Sequence, residues 1–154
     1  MLNIVTQIMV GLLIAGITAW ITVRLSLRRF RSERLWERKV QAYEKILESL
    51  HHLKSYCNEH IKSYEIGSSV GEEREKELYR KFKLAWGEIN KYRDIGAFLV
   101  ADSAVERLKL FEKEIQDSHV MSNFFELVDT QYGIVDDCIR DINKIARSDI
   151  SIMK

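Results

Sequence analysis

The chain has 154 residues, with 24 Lys and Arg against 23 Asp and Glu, and its formal net charge of +1 argues against a surface built throughout to hold nucleic acid. Its 46% hydrophobic and 31% charged content exclude intrinsic disorder, and a cysteine count of 2, at Cys57 and Cys138, excludes a disulfide-rich scaffold and a four-thiolate zinc site. Pro is absent and Gly occurs 7 times, so little interrupts a helix, and an all-α fold is predicted.

Leu2 to Val23 carry no charged side chain. At about 1.5 Å per residue, a helix of that length crosses a hydrocarbon core of roughly 30 Å. Residues 1–23 are therefore read as a transmembrane helix. A cleaved signal peptide would carry its basic residues before the apolar run; here Arg24, Arg28, Arg29, Arg31, Arg34, Arg38 and Lys39 follow it, against only Glu33 and Glu37. The positive-inside rule then places the N-terminus outside and everything after Arg24 in the cytoplasm, with Trp20 near the inner interface. The six arginines of this cluster suit anionic lipid headgroups. The alternative is an anionic ligand, a nucleotide or RNA, held at a ring of them in an oligomer.

At about 100° per residue, Asn3, Gln7, Gly11, Ala15, Thr18 and Thr22 share roughly a third of the helix circumference, opposite Leu2, Met9, Leu13, Ile17 and Trp20. Gly11, Ala15 and Ala19 are small-residue steps that let two helices approach, and Gln7 can hydrogen-bond across a symmetric interface. The other use for such a stripe is to line a water-filled lumen. Ile4 and Ile14 interrupt it. Either use predicts a homo-oligomer.

From Arg24 to Ile66 there is neither Gly nor Pro, so the membrane helix is expected to continue into the cytosol. Trp36, Val40, Tyr43, Leu47, Leu50, Cys57, Ile61 and Tyr64 form its apolar stripe, with Lys54 where the stripe skips and Leu53 beside it. Residues 66–71 read as a loop. A second helix starts in Glu72, Glu73 and Glu75, with pairs Glu72 to Lys76 and Glu77 to Lys81, and buries Leu78, Phe82, Ala85, Ile89 and Tyr92. Residues 94–100 form a buried connector. Ser103 and Glu106 match a capping box opening a third helix on Val105, Leu108, Phe111 and Ile115, which ends near 117–119. A fourth runs from about Val120 to Arg147 on Phe124, Val128, Tyr132, Val135, Ile139 and Ile142, with Asp136 and Arg140 as a surface pair and a weak point at Gly133. Residues 149–154 are expected to fray. Amphipathic helices with short links predict an antiparallel four-helix bundle over residues 24–148, standing on the membrane helix. Through the continuous first helix, a rearrangement of that bundle could tilt or rotate the membrane segment.

Chemistry is sparse. Glu48 and His51 have the Glu-x-x-His spacing of carboxylate-bridged di-iron bundles, but that site needs a second copy and two further carboxylates. Cys57 and His60 are half a metal site, and both cysteines read as small buried hydrophobes. No Arg precedes His51, His52, His60 or His119 at the spacing that helical-bundle ribonucleases use, and there is no Gly-rich phosphate loop, Gly-x-Ser-x-Gly or His-Glu-x-x-His. No catalytic residue, metal or cofactor is expected.

Two stretches, Leu35-Trp36-Glu37-Arg38-Lys39 continuing to Ala42-Tyr43-Glu44-Lys45-Ile46, and Asp94-Ile95-Gly96-Ala97-Phe98-Leu99 continuing to Ala101-Asp102-Ser103-Ala104, resemble a family of small bacterial membrane-anchored helical proteins. In layout the chain is also similar to CRISPR-associated membrane effectors, including the accessory membrane pore of an RNA-targeting CRISPR nuclease. The resemblance implies a single-pass protein of the bacterial inner membrane that self-associates and perturbs that membrane during phage infection. The alternative is a membrane-tethered scaffold that binds a cytosolic protein, a nucleotide, RNA or lipid without forming a pore.

Overall fold

The computed structural model of the protein describes residues 2–151; for residues 2–8, 12–13, 28–29, 31–32 and 97 it describes the backbone alone. Every regular element among the described residues is helical: α1 (Leu2–Glu65), α2 (Glu72–Ile95), α3 (Asp102–Ser118) and α4 (Phe124–Ser151), with a 3-10 turn at Gly96–Phe98. The chain divides into two compact units, Met1–Glu37 and Arg38–Lys154, and α1 contributes to both. In the first unit Met9–Leu27 is long and apolar enough to cross a membrane.

The core of the second unit draws on all four helices, among them Tyr43, Ile46, Leu50 and Leu53 of α1, Ala85 and Ile89 of α2, Leu108 and Phe111 of α3, and Val135 and Ile142 of α4. Each large apolar side chain so enclosed contributes about 1.5–3 kcal/mol. Along α1 the buried row is Tyr43, Ile46, Leu50, Leu53 and Cys57, stepping alternately by three and four. The row expected from the sequence sits partly on its flank. Trp36, Val40, Leu47 and Ile61 are only half-buried and Tyr64 is exposed, whereas Ile46 and Leu53 are fully enclosed. An apolar helix face wide enough to hold two neighbouring rows does not say by itself which of them is central.

On α2 and α3 the expected faces are buried, with Phe82 half-buried against the core. On α4 Val128, Val135, Ile139 and Ile142 are buried, together with Cys138 and Ala146; Tyr132 is half-buried and Phe124 exposed. The connector is only partly buried: Val100 is enclosed and Leu99 packs on the core, but Phe98 is 90% exposed.

The helix ends follow backbone accounting. At the end of α1, Gly67 adopts φ 65°, Ser68 N–H donates to Ser63 C=O at 2.9 Å and Gly67 N–H to Tyr64 C=O at 3.0 Å. That is a Schellman closure, which needs the left-handed conformation glycine adopts without strain. The expected capping box of α3 does not form. The N-cap is Ala101, which offers no side-chain cap, and Ser103 and Glu106 lie inside the helix, Glu106 paired with Lys109 at 2.7 Å. Ala101 N–H instead donates to Tyr43 Oη and Asp149 Oδ2, each at 3.1 Å. Tertiary groups here do what the box would have done locally.

The start of α4 is also later than expected. It begins at Phe124, where Asn123 Oδ1 accepts the Phe125 N–H at 3.0 Å, and Val120 is left 89% exposed. At its far end α4 continues to Ser151, so residues 149–151 of the expected frayed tail are helical. Asp149 anchors it, accepting from Lys39 Nζ and from Tyr43 Oη at 2.8 Å each. Residues 152–154 lie outside the described residues.

The pairs Glu72–Lys76 and Glu77–Lys81 form at 2.6 Å each. Asp136 meets Arg140 at 3.5 Å but is held more closely by Lys54, at 2.6 Å, so the residue that breaks the stripe ties α1 to α4. Lys54 also lies over the Tyr132 ring. Arg107 ties α3 to α4 through Asp141 at 2.8 Å.

Candidate functional site

The described apolar side chains of α1 in the first unit are exposed. Met9, Val10, Ile14, Ile17, Trp20, Ile21, Val23, Leu25 and Leu27 are each between 46% and 61% exposed. Of the polar and small stripe, Ala15, Thr18 and Thr22 are exposed and Gly11 stands in open space. Thr18 Oγ1 donates to Ile14 C=O and Thr22 Oγ1 to Thr18 C=O, each at 2.8 Å. Both hydroxyl donors are thus satisfied within the helix, the arrangement by which threonine enters an apolar medium without a lumen. The Arg24 guanidinium lies 4.9 Å from the Trp20 ring centre, and Arg34 lies 5.2 Å from that of Phe30. Such pairs, an aromatic body with a cationic tip, suit a headgroup boundary. Arg38 is exposed and opens the second unit. The side chains of Asn3, Gln7, Arg28, Arg29 and Arg31 lie outside the described residues.

The second unit holds a pocket of about 360 Å³ between α1, α2 and the facing ends of α3 and α4. Its inner wall is Leu53, Cys57, Ile115 and Val135, and its aromatic wall includes Tyr56, Phe82 and Trp86. Tyr56 packs on Phe82 with ring centres 4.9 Å apart, and Phe82 stacks parallel to Trp86. A second cleft of about 350 Å³ shares Phe124 and Val128 with it and contains His60, Tyr64, Glu75 and Phe125. The His60 ring rests edge-on against Phe124, and Tyr64 stacks on Phe125 at 4.3 Å.

Within this cleft His60 Nε2 and Glu75 Oε2 are both shut off from solvent. They lie 3.2 Å apart, within ion-pair distance of each other. The rest of the Glu75 side chain reaches water, being 38% exposed. Burial, with the Glu75 charge nearby, holds the Tyr56 hydroxyl above its ordinary pKa, so it stays protonated. Burial pushes the Cys57 thiol up to about 12, which makes it part of the apolar wall rather than a nucleophile.

Of the other candidates, Glu48 is taken up by Lys45 at 2.7 Å, and His51 is exposed beyond it. Among the described residues no group of three His, Cys, Asp or Glu is placed to hold a metal ion. The sequence treats His60 only as a neighbour of Cys57 and Glu75 only as a helix-start acid. What brings them together is the chain reversal at the Gly67 turn, which lays the start of α2 beside the end of α1. The usable signal was the density of aromatic residues flanking those two turns, at Tyr56, Tyr64, Phe124 and Phe125. Comparison with protein-family models, with curated proteins and with solved structures finds no match to this chain.

Proposed function

We propose that the protein is a non-enzymatic, single-pass anchor of the bacterial inner membrane that self-associates through the Gly11, Ala15, Thr18 and Thr22 face of α1. In this reading the N-terminus lies outside, and the second unit, an antiparallel four-helix bundle, lies in the cytoplasm. One observation carries it: a run of apolar side chains from Met9 to Leu27 is exposed to a degree that water does not tolerate over such a length. The arginines from Arg24 to Arg38 give the run its direction and its anionic lipid contact.

The intrahelical bonds of Thr18 and Thr22 favour close helix packing over a water-filled pore. Membrane perturbation in antiphage defence is the outcome the test must separate from simple assembly. After expression in bacteria, the chain is expected in the carbonate-resistant membrane fraction, with its C-terminal unit protected from protease added outside intact cells. Liposomes containing it are expected to retain an encapsulated dye. Recovery in the soluble fraction overturns the anchor, and rapid dye release replaces the closed assembly with a pore.

A further inference from the structure

We infer that the turn joining α2 to α3 dips into the lipid surface at the membrane boundary, with Phe98 and Ile95 as the side chains that enter it. The inference rests on the reading of α1 as a membrane anchor and adds a second lipid contact, made by the other unit of the chain.

The sequence from Ile95 to Ala101 carries no charge, and its largest side chain is turned outward: Phe98 is 90% exposed and Ile95 50%. This exposure does not come from a loose loop. Leu99 N–H and Val100 N–H both donate to Gly96 C=O, at 2.7 and 2.8 Å, and the buried Val100 lies 3.4 Å from where a Gly96 side chain would begin. An ordered turn that encloses Val100 and leaves the larger Phe98 in the open presents that ring to a surface outside its own core. On one flank Asp94 is neutralised by Arg93 at 2.8 Å; on the other, Asp102 belongs to the first turn of α3.

Exposure alone does not select lipid; position does. Ala101 N–H reaches Tyr43 Oη at 3.1 Å, and Asp149 joins the same N–H to Lys39, so the turn sits at the end of the second unit where α1 enters it. The exposed apolar side chains of α1 run on past Leu27 to Phe30 and Leu35, with the Arg34 guanidinium over the Phe30 ring, a pairing suited to a headgroup boundary. Leu35 precedes Lys39 by four residues, and a chain of that length spans at most about 14 Å however it is arranged. The headgroup layer adds about 5–8 Å of depth on each side of the hydrocarbon, so the turn is tethered within reach of it. An uncharged wedge of one aromatic and one branched aliphatic side chain suits that depth. Val120, in the turn joining α3 to α4, is as exposed at 89%, but it lies shortly before Phe124, whose ring meets His60 toward the other end of α1.

The test places a nitroxide on single introduced cysteines of the full chain in nanodiscs of mixed zwitterionic and anionic phospholipid; Cys57 and Cys138 are buried and stay unlabelled. Collision of the label with dissolved oxygen, which concentrates in lipid, is compared with collision with a water-soluble nickel chelate. Ile17→Cys, within the apolar run, and Val120→Cys set the lipid and water values. Ile95→Cys is expected to give an oxygen-to-nickel ratio several-fold above that of Val120→Cys. Adding Phe98→Asp is expected to return the label at 95 to the water value, and Phe98→Leu to leave it in lipid. The second unit's thermal transition is expected to be unchanged in both, since Phe98 is exposed. A water value at 95 with a lipid value at 17 overturns the inference and leaves the anchor standing, whereas a water value at 17 overturns the anchor and the inference with it. A label at 95 shielded from both reagents means that a protein covers the turn, and an unaltered ratio in Phe98→Asp means that Phe98 does not hold it there; either result also overturns the inference.

Discussion

Asp149 sits in the last turn of α4, yet it closes a network that reaches two other helices: Lys39 and Tyr43 of α1 donate to it, and so does the Ala101 N–H at the mouth of α3. Burial alone would raise its pKa, but the hydrogen bonds from Lys39 and Tyr43 and the Lys39 charge outweigh burial and hold the carboxyl below its ordinary value. Burial, reinforced by the Asp149 charge against the opposing Ala101 contact, pushes the Tyr43 hydroxyl above its usual range, so it remains a donor. Asp149→Asn keeps an acceptor for Tyr43 and Ala101 and removes the charge that Lys39 faces. The expected cost is about 1–3 kcal/mol, read from urea denaturation of the protein in detergent. The sign with pH follows from the depressed pKa. The carboxylate's contribution is complete above the unfolded value of about 3.9 and disappears as pH falls through the lower folded value. The difference between the parent and the Asn variant should therefore be constant from neutral pH down to about 5 and shrink steadily below 4. A difference that grew on acidification would mean that Asp149 is not the group titrating.

At the scale of the helix, the α3 start separates local from tertiary capping. Were Ser103 an N-cap, Ser103→Ala would cost about 1 kcal/mol. Since Ser103 lies one residue inside the helix and makes no cap bond, that variant should stay within about 0.5 kcal/mol of the parent. Ala101, the actual N-cap, has the extended backbone (φ −61°, ψ 146°) that a capping serine adopts. Ala101→Ser should therefore stabilise by about 0.5–1 kcal/mol in the same urea titration. The contrast shows where sequence reading succeeds. The acidic start of α2 and the 66–71 turn were legible because their determinants lie within a few residues of each other, as Glu72 with Lys76 and Gly67 with Tyr64. The α3 start was not, because its cap comes from Asp149, 48 residues away. The α1 seam was half legible: spacing revealed an apolar face, but only neighbours on α2, α3 and α4 select Ile46 and Leu53 over Leu47 and Ile61. The candidate cleft was illegible for the first reason again. Its facing His60 and Glu75 belong to different helices, each unremarkable in its own segment.

For the molecule as a whole, the decisive question is whether α1 meets a second copy of itself. Among the described residues, and apart from the neighbouring backbone of its own helix, nothing lies within 4 Å of where a Gly11 side chain would begin. A large residue there therefore disturbs nothing in the protomer, and Leu favours the helix more than Gly does. If two helices approach along Gly11, Ala15 and Thr18, the added bulk pushes their backbones apart and removes the close packing on which association in lipid depends. Cys57 and Cys138 are buried, and burial pushes both thiols up to about 12, so an introduced cysteine is the one reactive thiol. Thr18→Cys in membranes under mild oxidation is expected to give a disulfide-linked dimer, and Trp20→Cys, on the opposite face, to give none. Adding Gly11→Leu to Thr18→Cys should reduce the dimer several-fold while leaving membrane extraction and the second unit's thermal transition unchanged. Equal dimer from positions 20 and 18 would point to collision without a preferred face. An undiminished dimer with Gly11→Leu would place the contact elsewhere on the helix, and the small-residue stripe would then be an accident of composition.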